Sequence, residues 1–358
     1  MKIYFKLLII LLLTNCSNDQ NLTNDLNLLS IKGKVKKIEQ INYIGEIKFG
    51  KPTKIKTTYI RNKFSSSKIW ILSQINKNLG FRLDENYKYK FDTNGNCVEN
   101  YDYDFDLNRF NLSERYIFNN KKIKETEYYF KENNGNISFK WITEYDEQNN
   151  PIKYKKTNHQ NISILEITRK NHYEKKQLIE SRNLDSIGNL LYTNKYTYHI
   201  NSNKKSELLN WSSTSNKTEQ TLFDINGNIL EINFFDEDKK LTSKTTREYD
   251  ANNNMIKEVE YDENGDSVLK TVYKFNSKNE VIHKTEFEKS KKENEEFYEY
   301  NSNGFISKII KHKYYYSREK IETLTFDYKT DSNKNWTTQN TYENNKLIYI
   351  SERKIEYY

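Results

Sequence analysis

The sequence predicts an all-β protein: an antiparallel meander of repeated strand-turn units forming one extended, curved sheet. Three observations carry that prediction. Units made of an aromatic residue, an Asp or Asn, and a turn return at a nearly fixed interval; alternating sequences fill the intervals; and the chain is rich in Tyr although its mean hydropathy is −1.00. The interval is clearest at Phe223-Asp224, Phe235-Asp236, Tyr249-Asp250, Tyr261-Asp262 and Phe275-Asn276, where the aromatic positions step by 12, 14, 12 and 14 residues. Such self-similarity marks an internal repeat.

Each unit has a simple physical reading. Asp or Asn opens a turn by accepting a hydrogen bond from its own backbone two residues on, and Gly or Asn tolerates the positive φ that closes it. Asp92, Asp224, Asp250 and Asp262 are the expected openers, and Gly95, Gly227, Gly265 and Gly304 the expected closers. Between turns, Val268 to Phe275 puts Leu269, Thr271, Tyr273 and Phe275 on one face and Val268, Lys270, Val272 and Lys274 on the other. That alternation is a strand with one apolar face. A strand of about seven residues and a turn of about five make the shorter step, and a bulge or longer strand makes the other.

The chain begins with a targeting segment. Lys2 and Lys6 form a basic start and Leu7 to Leu13 an apolar run too short to span a bilayer, so residues 1–15 read as a signal peptide. Leu13-Thr14-Asn15-Cys16-Ser17 resembles the lipobox of bacterial lipoproteins, with Cys16 as the lipidated residue and Asn15 departing from the usual small residue. By that resemblance, Ser17 is compatible with the outer membrane, facing the periplasm or the cell surface. Residues 16–30 read as a tether with a turn of helix near Asp25 to Leu29, and 31–358 as one repeat-built β domain. A first strand or strand pair is expected over Gly33 to Ile44. Lys63 to Arg82 fits the repeat poorly and could be a helical face through Ile71, Leu72, Ile75 and Leu79, or a hairpin. Between Tyr154 and Thr221 the pattern blurs, which predicts longer loops or an insertion. The chain closes on Ile355-Glu356-Tyr357-Tyr358, a strand expected to be docked.

Composition narrows the function. With 14% aromatic residues, 29 of them Tyr, the low hydropathy does not signal disorder. Tyr suits a thin sheet, its ring packing across strands while its hydroxyl stays wet. The net charge of +8 is spread as interspersed Lys and Glu, which reads as solvated faces and protected edges, so nucleic acid is not an expected partner. Cys97 reads as a half-buried strand residue. The five His show no metal-ligand spacing, and no nucleophile elbow or phosphate loop is present, so neither a cofactor nor a catalytic set is expected. Asp92 to Asn96 suggests a calcium loop only superficially, because its Gly is fourth rather than sixth.

The Tyr/Phe-Asp-x-x-Gly/Asn-Asn-x-Ile/Leu units, from about Phe91 onward, resemble the YD repeats of the RHS-type family, and with the lipobox they resemble secreted YD-repeat-like lipoproteins of Gram-negative bacteria. The resemblance implies a curved antiparallel sheet, which in large RHS proteins forms a shell around a toxin segment; no sequence here resembles that cargo. The repeats leave open whether the sheet is open, spiral or closed to a barrel. The expected function is a non-enzymatic, lipid-anchored envelope module that binds a glycan or a protein, with Trp141, Trp211 and Trp336 as candidate contacts. The alternatives are a carbohydrate hydrolase with a dispersed carboxylate pair and an accessory or immunity factor of a secretion system.

Overall fold

The computed structural model describes residues 25–28, 31–55, 86–119, 122–129, 136–200, 203–211, 217–315 and 318–358. The signal segment, Cys16 and Lys63 to Arg82 lie outside them. One short helix, α1 (Asp25–Leu28), precedes the strands β1 (Val35–Lys48), β2 (Lys51–Ile55), β3 (Tyr87–Phe91), β4 (Cys97–Asp104), β5 (Arg109–Asn119), β6 (Lys122–Tyr129) and β7 (Ile137–Tyr145). The series continues through β8 (Pro151–Asn158), β9 (Ser163–Glu174), β10 (Gln177–Leu184), β11 (Leu190–Tyr198), β12 (Lys204–Trp211), β13 (Thr218–Phe223), β14 (Ile229–Phe235) and β15 (Leu241–Tyr249). It ends with β16 (Met255–Tyr261), β17 (Ser267–Phe275), β18 (Val281–Glu288), β19 (Lys291–Tyr300), β20 (Ile306–Tyr315), β21 (Arg318–Thr330), β22 (Trp336–Glu343) and β23 (Lys346–Tyr357).

From β3 onward each strand pairs antiparallel with the next, and the ring closes through β1, which pairs with β23 on one edge and with β3 on the other. The fold is therefore all-β, a 22-strand meander closed into a barrel, with β2 folded back as a hairpin on the far half of β1. Closure resolves the choice among open, spiral and barrel forms. The docked final strand is the closing strand, and Ile38↔Ile355 and Gln40↔Arg353 lie in its seam. Both termini of the ring sit at one mouth, here the terminal mouth.

The turns follow the expected chemistry closely. Eleven of them share one geometry: the opening Asp or Asn donates its N–H to the carbonyl four residues on, and the N–H three residues on returns to its carbonyl. In each, one side-chain oxygen of the opener accepts from the N–H groups two and four residues later, as Asp224 Oδ1 does from Asn226 and Asn228 at 2.9 and 2.8 Å. Gly227 and Gly265 close two of these turns at φ of 87° and 83°, and Asn253 does the same at 63°. The hairpins show a register shift beside these turns, as at Leu222/Phe223, so the bulge allowed for in the 14-residue step is a regular part of the unit.

The structure also enlarges the repeat. Turns alternate between the two mouths, so the true unit is a hairpin of 26 residues, the sum of one short and one long step. At the terminal mouth, the Tyr that precedes a turn donates its hydroxyl to a carbonyl at the start of the strand that follows the previous turn at that mouth: Tyr249 to Ile229 at 2.9 Å, Tyr300 to Val281 at 2.7 Å, Tyr145 to Ile123 at 2.8 Å. The Asn residues of neighbouring turns add further links, Asn228 to Asn253 and Asn254 to Asn279, both at 2.9 Å. Phe223 and Phe275 occupy the same place without a hydroxyl to give. Replacing Tyr249 with Phe should cost about 1 kcal/mol, the net value of one such bond, read as a shift in the urea midpoint; no shift would show that the ring packs but does not lock.

Of the longer loops or insertion expected between Tyr154 and Thr221, the Ser212 to Asn216 stretch lies outside the described residues, and the strands on either side of it keep the meander. Strands β8 to β13 run on at six to twelve residues each, with regular turns at Asn158 and Asp185. Their alternation is of Thr, Asn and Tyr rather than aliphatic residues, which hides the period in sequence but pairs as well in a ladder. Cys97 is buried at 5% exposure rather than half-buried, under α1, where Asp25 accepts its N–H and Leu26 and Ile31 pack beside it. Burial pushes its thiol well above the ordinary value.

Candidate functional site on the inner wall

Inside a closed sheet side chains converge and cover one another, while outside they splay. Ile38, Gln40, Asn183, Ile309, Leu324 and Thr341, all essentially unexposed, share one face by register, and that face is the inner wall. It is not an oily core. A row crossing β17 to β21 reads Tyr273, Lys284, Glu296, Lys311 and Glu322, each opposite the next. Lys311 Nζ lies 2.8 Å from Glu296, and the Tyr298 hydroxyl donates to the same carboxylate. Burial would raise the Glu296 pKa, but Lys311, Tyr298 and Lys284 outweigh it and hold it below the usual 4.5.

A depressed carboxylate adds stability that is fully present above its unfolded value and is lost as pH falls through its folded value. Acid titration should therefore show stability declining below about pH 4.5, and Glu296→Gln should flatten part of that decline. An unchanged slope in the variant would remove Glu296 from the account.

Two of the three candidate Trp residues are placed on this wall. Trp141 stands in register with Thr126 and Lys156, with Lys156 Nζ 5.7 Å from its ring and 4.1 Å from that of Phe139, which stacks on Tyr128 at 4.3 Å. Trp336 is capped by the Arg353 guanidinium 3.5 Å from its ring and flanked by Tyr328. Arg353 in turn donates to Gln40 at 2.9 Å. The backbone of Trp211 pairs with Tyr192; its side chain lies outside the described residues. Trp141 and Trp336 do not converge, because six strands separate β7 from β22 by the shorter way round. Sequence reasoning missed Arg353 and Arg169: among many interspersed Lys and Arg, nothing in the chain signals which face inward.

The outer face is as highly charged. Lys90, Glu99, Arg115, Glu127 and Lys140 stand opposite one another from β3 to β7, joined at 2.8 to 3.4 Å. Further pairs continue round the barrel, including Lys153–Glu166 at 2.9 Å, Lys244–Glu231 at 2.6 Å, Lys257–Glu248 at 2.6 Å and Lys308–Glu299 at 3.2 Å. No group of His, Cys, Asp and Glu suited to a metal occurs among the described residues.

No protein-family model matches the sequence, and no curated protein matches it. Among solved structures, the chain resembles the crystal structure of TcdB2-TccC3 at 14% identity and a TM-score of 0.36, covering 75% of this chain and 16% of that one. It also resembles a porin-like protein from Bacteroides uniformis at 9% identity and a TM-score of 0.29, covering 68% of this chain and 95% of that one. A porin-like protein from Bacteroides vulgatus gives 10% identity and a TM-score of 0.18, covering 90% and 98%. The chain thus spans only 16% of the TcdB2-TccC3 chain. Likenesses at this level assign no family, ligand or membrane placement here.

Proposed function

We propose that this chain is a non-enzymatic envelope protein, lipid-anchored through Cys16 at the outer membrane, whose closed barrel stands in water and binds glycan through its inner wall. The observation that carries the reading is the girdle of ion pairs on the outer face. A barrel that spans a bilayer presents an apolar band about 25 Å tall to lipid, and each Lys or Arg at its midplane costs about 2–4 kcal/mol. A ladder such as Lys90–Glu99–Arg115–Glu127–Lys140 fits water instead. Inside, aromatic rings lie next to amides and charged groups, the combination that stacks on and hydrogen-bonds to sugars.

Phase separation in detergent tests the first half. The full chain should enter the detergent phase and Cys16→Ala the aqueous phase; a Cys16→Ala protein that stays with detergent would mean the barrel itself holds lipid. For the second half, the purified chain should be retained on immobilised envelope polysaccharide without turning it over, and Trp141→Ala should weaken retention while leaving the fold intact. Release of sugar fragments would point to a hydrolase. Protease shaving of intact cells then separates a surface location from a periplasmic one.

A further inference from the structure

Nine buried side-chain nitrogen and oxygen atoms have no hydrogen-bond partner among the described residues, and five of them belong to one patch of inner wall on β9, β10 and β11. They are Arg169 Nε, Asn171 Oδ1, both amide ends of Asn183, and Asn194 Oδ1. Register assembles the patch. Asn183 stands opposite Arg169 on one side and Tyr192 on the other, and two residues along Ser181 stands opposite Asn171 and Asn194. Arg169 is 8% exposed, Asn194 4% and Asn183 0%.

Buried donors and acceptors are met almost without exception, and five unmet ones in a single patch would rival the whole net stability of a folded chain. What meets them must have a particular chemistry. The unmet set mixes donors, Arg169 Nε–H and the Asn183 NH2, with three amide carbonyl oxygens that only accept. A simple anion offers acceptors alone and would face those oxygens unfavourably; sugar hydroxyls both donate and accept. Arg169 adds a demand for negative charge, since it has no carboxylate within ion-pair distance among the described residues. The nearby Glu207 is already engaged, accepting from Asn194 Nδ2 at 2.8 Å and pairing with Lys204 at 3.1 Å.

We infer that this patch is a binding site for a hexuronic acid residue, its ring hydroxyls meeting the Asn183, Asn194 and Asn171 amides and its carboxylate meeting Arg169. The unmet atoms are covered in the present conformation. The neighbouring group whose movement would uncover them is Tyr196, whose hydroxyl lies 3.5 Å from both Arg169 and Ser181, at the weak limit of a hydrogen bond, and whose ring is contacted by Lys204 Nζ at 5.0 Å. Swinging it toward the lumen opens the patch and leaves its ring as a flat wall for the sugar. This inference deepens the glycan-binding reading and rests on it.

The test uses the purified full chain, titrated calorimetrically with glucuronate and with glucose, alongside Asn183→Val, which removes two unmet atoms and suits a strand. Saturable glucuronate binding at least about tenfold tighter than glucose, a thermal midpoint raised by glucuronate, and loss of both effects in Asn183→Val with no fall in its own midpoint are the expected results; tenfold corresponds to about 1.4 kcal/mol. Equal binding of the two sugars, glucuronate binding untouched by Asn183→Val, or no saturable binding of either would overturn the site, the last leaving ordered water as the occupant. Retention on the polysaccharide column that persists in Asn183→Val without glucuronate binding would sink this site while leaving the broader reading standing.

Discussion

Deleting residues 346–358 should turn a closed barrel into aggregated protein. The deleted stretch is β23, which pairs with β1 from Val35 to Ile44 and with β22 from Thr338 to Glu343. Its loss leaves β1 and β22 with rows of unpaired N–H and C=O groups, and such edges recruit other strands. It also uncovers Thr341 and removes Leu347, Ile350 and Ser351, all at 3% exposure or less. Closure is the one pairing in this meander that joins distant parts of the chain; every other strand from β3 onward meets a neighbour in sequence. Size-exclusion chromatography with far-ultraviolet circular dichroism gives the readout. A truncated chain that elutes as the intact chain does, with an unchanged thermal midpoint, would mean that the ring is not closed in solution.

Arg353→Ala should lower stability by about 3 kcal/mol, combining a stacked cation, worth up to about 2 when desolvated, with a charge-assisted hydrogen bond. The side chain ties the seam together: it lies on β23, caps Trp336 on β22 at 3.5 Å and donates to Gln40 on β1 at 2.9 Å. Arg353→Lys should recover less than half of that loss, because an ammonium does not present a flat fork to both partners. Urea unfolding reads both. A loss below about 1 kcal/mol would place the strength of the seam in its backbone ladder alone. It follows that Trp336→Ala should cost stability as well as any sugar contact, whereas Trp141, beside the more loosely placed Lys156, is the better probe of binding.

How far the site could be read from sequence depends on the residue. Trp141 and Trp336 stand out by type, and register puts both on the inner wall. Arg169 and Asn183 do not, since Thr168-Arg169-Lys170 and Arg182-Asn183-Leu184 look like any polar strand of this chain. Only pairing puts Asn183 opposite Arg169 and leaves its amide unmet. The Tyr249 lock is similar. Its Tyr-Asp unit was legible as a turn signal, but its hydroxyl finds Ile229 only once consecutive hairpins lie side by side.

The sequence by itself determined the all-β class, the antiparallel meander and the position of most turns, because these rest on local physics: an Asp or Asn oxygen reaching its own backbone, a residue that accepts positive φ, and two-residue alternation between them. The tertiary structure alone decided that the sheet closes, that the repeat is a hairpin of two strands, and which of two polar, charged faces points inward. Those depend on a seam between residues more than 300 positions apart, and on twist summed over 22 strands. No short stretch of sequence carries either one.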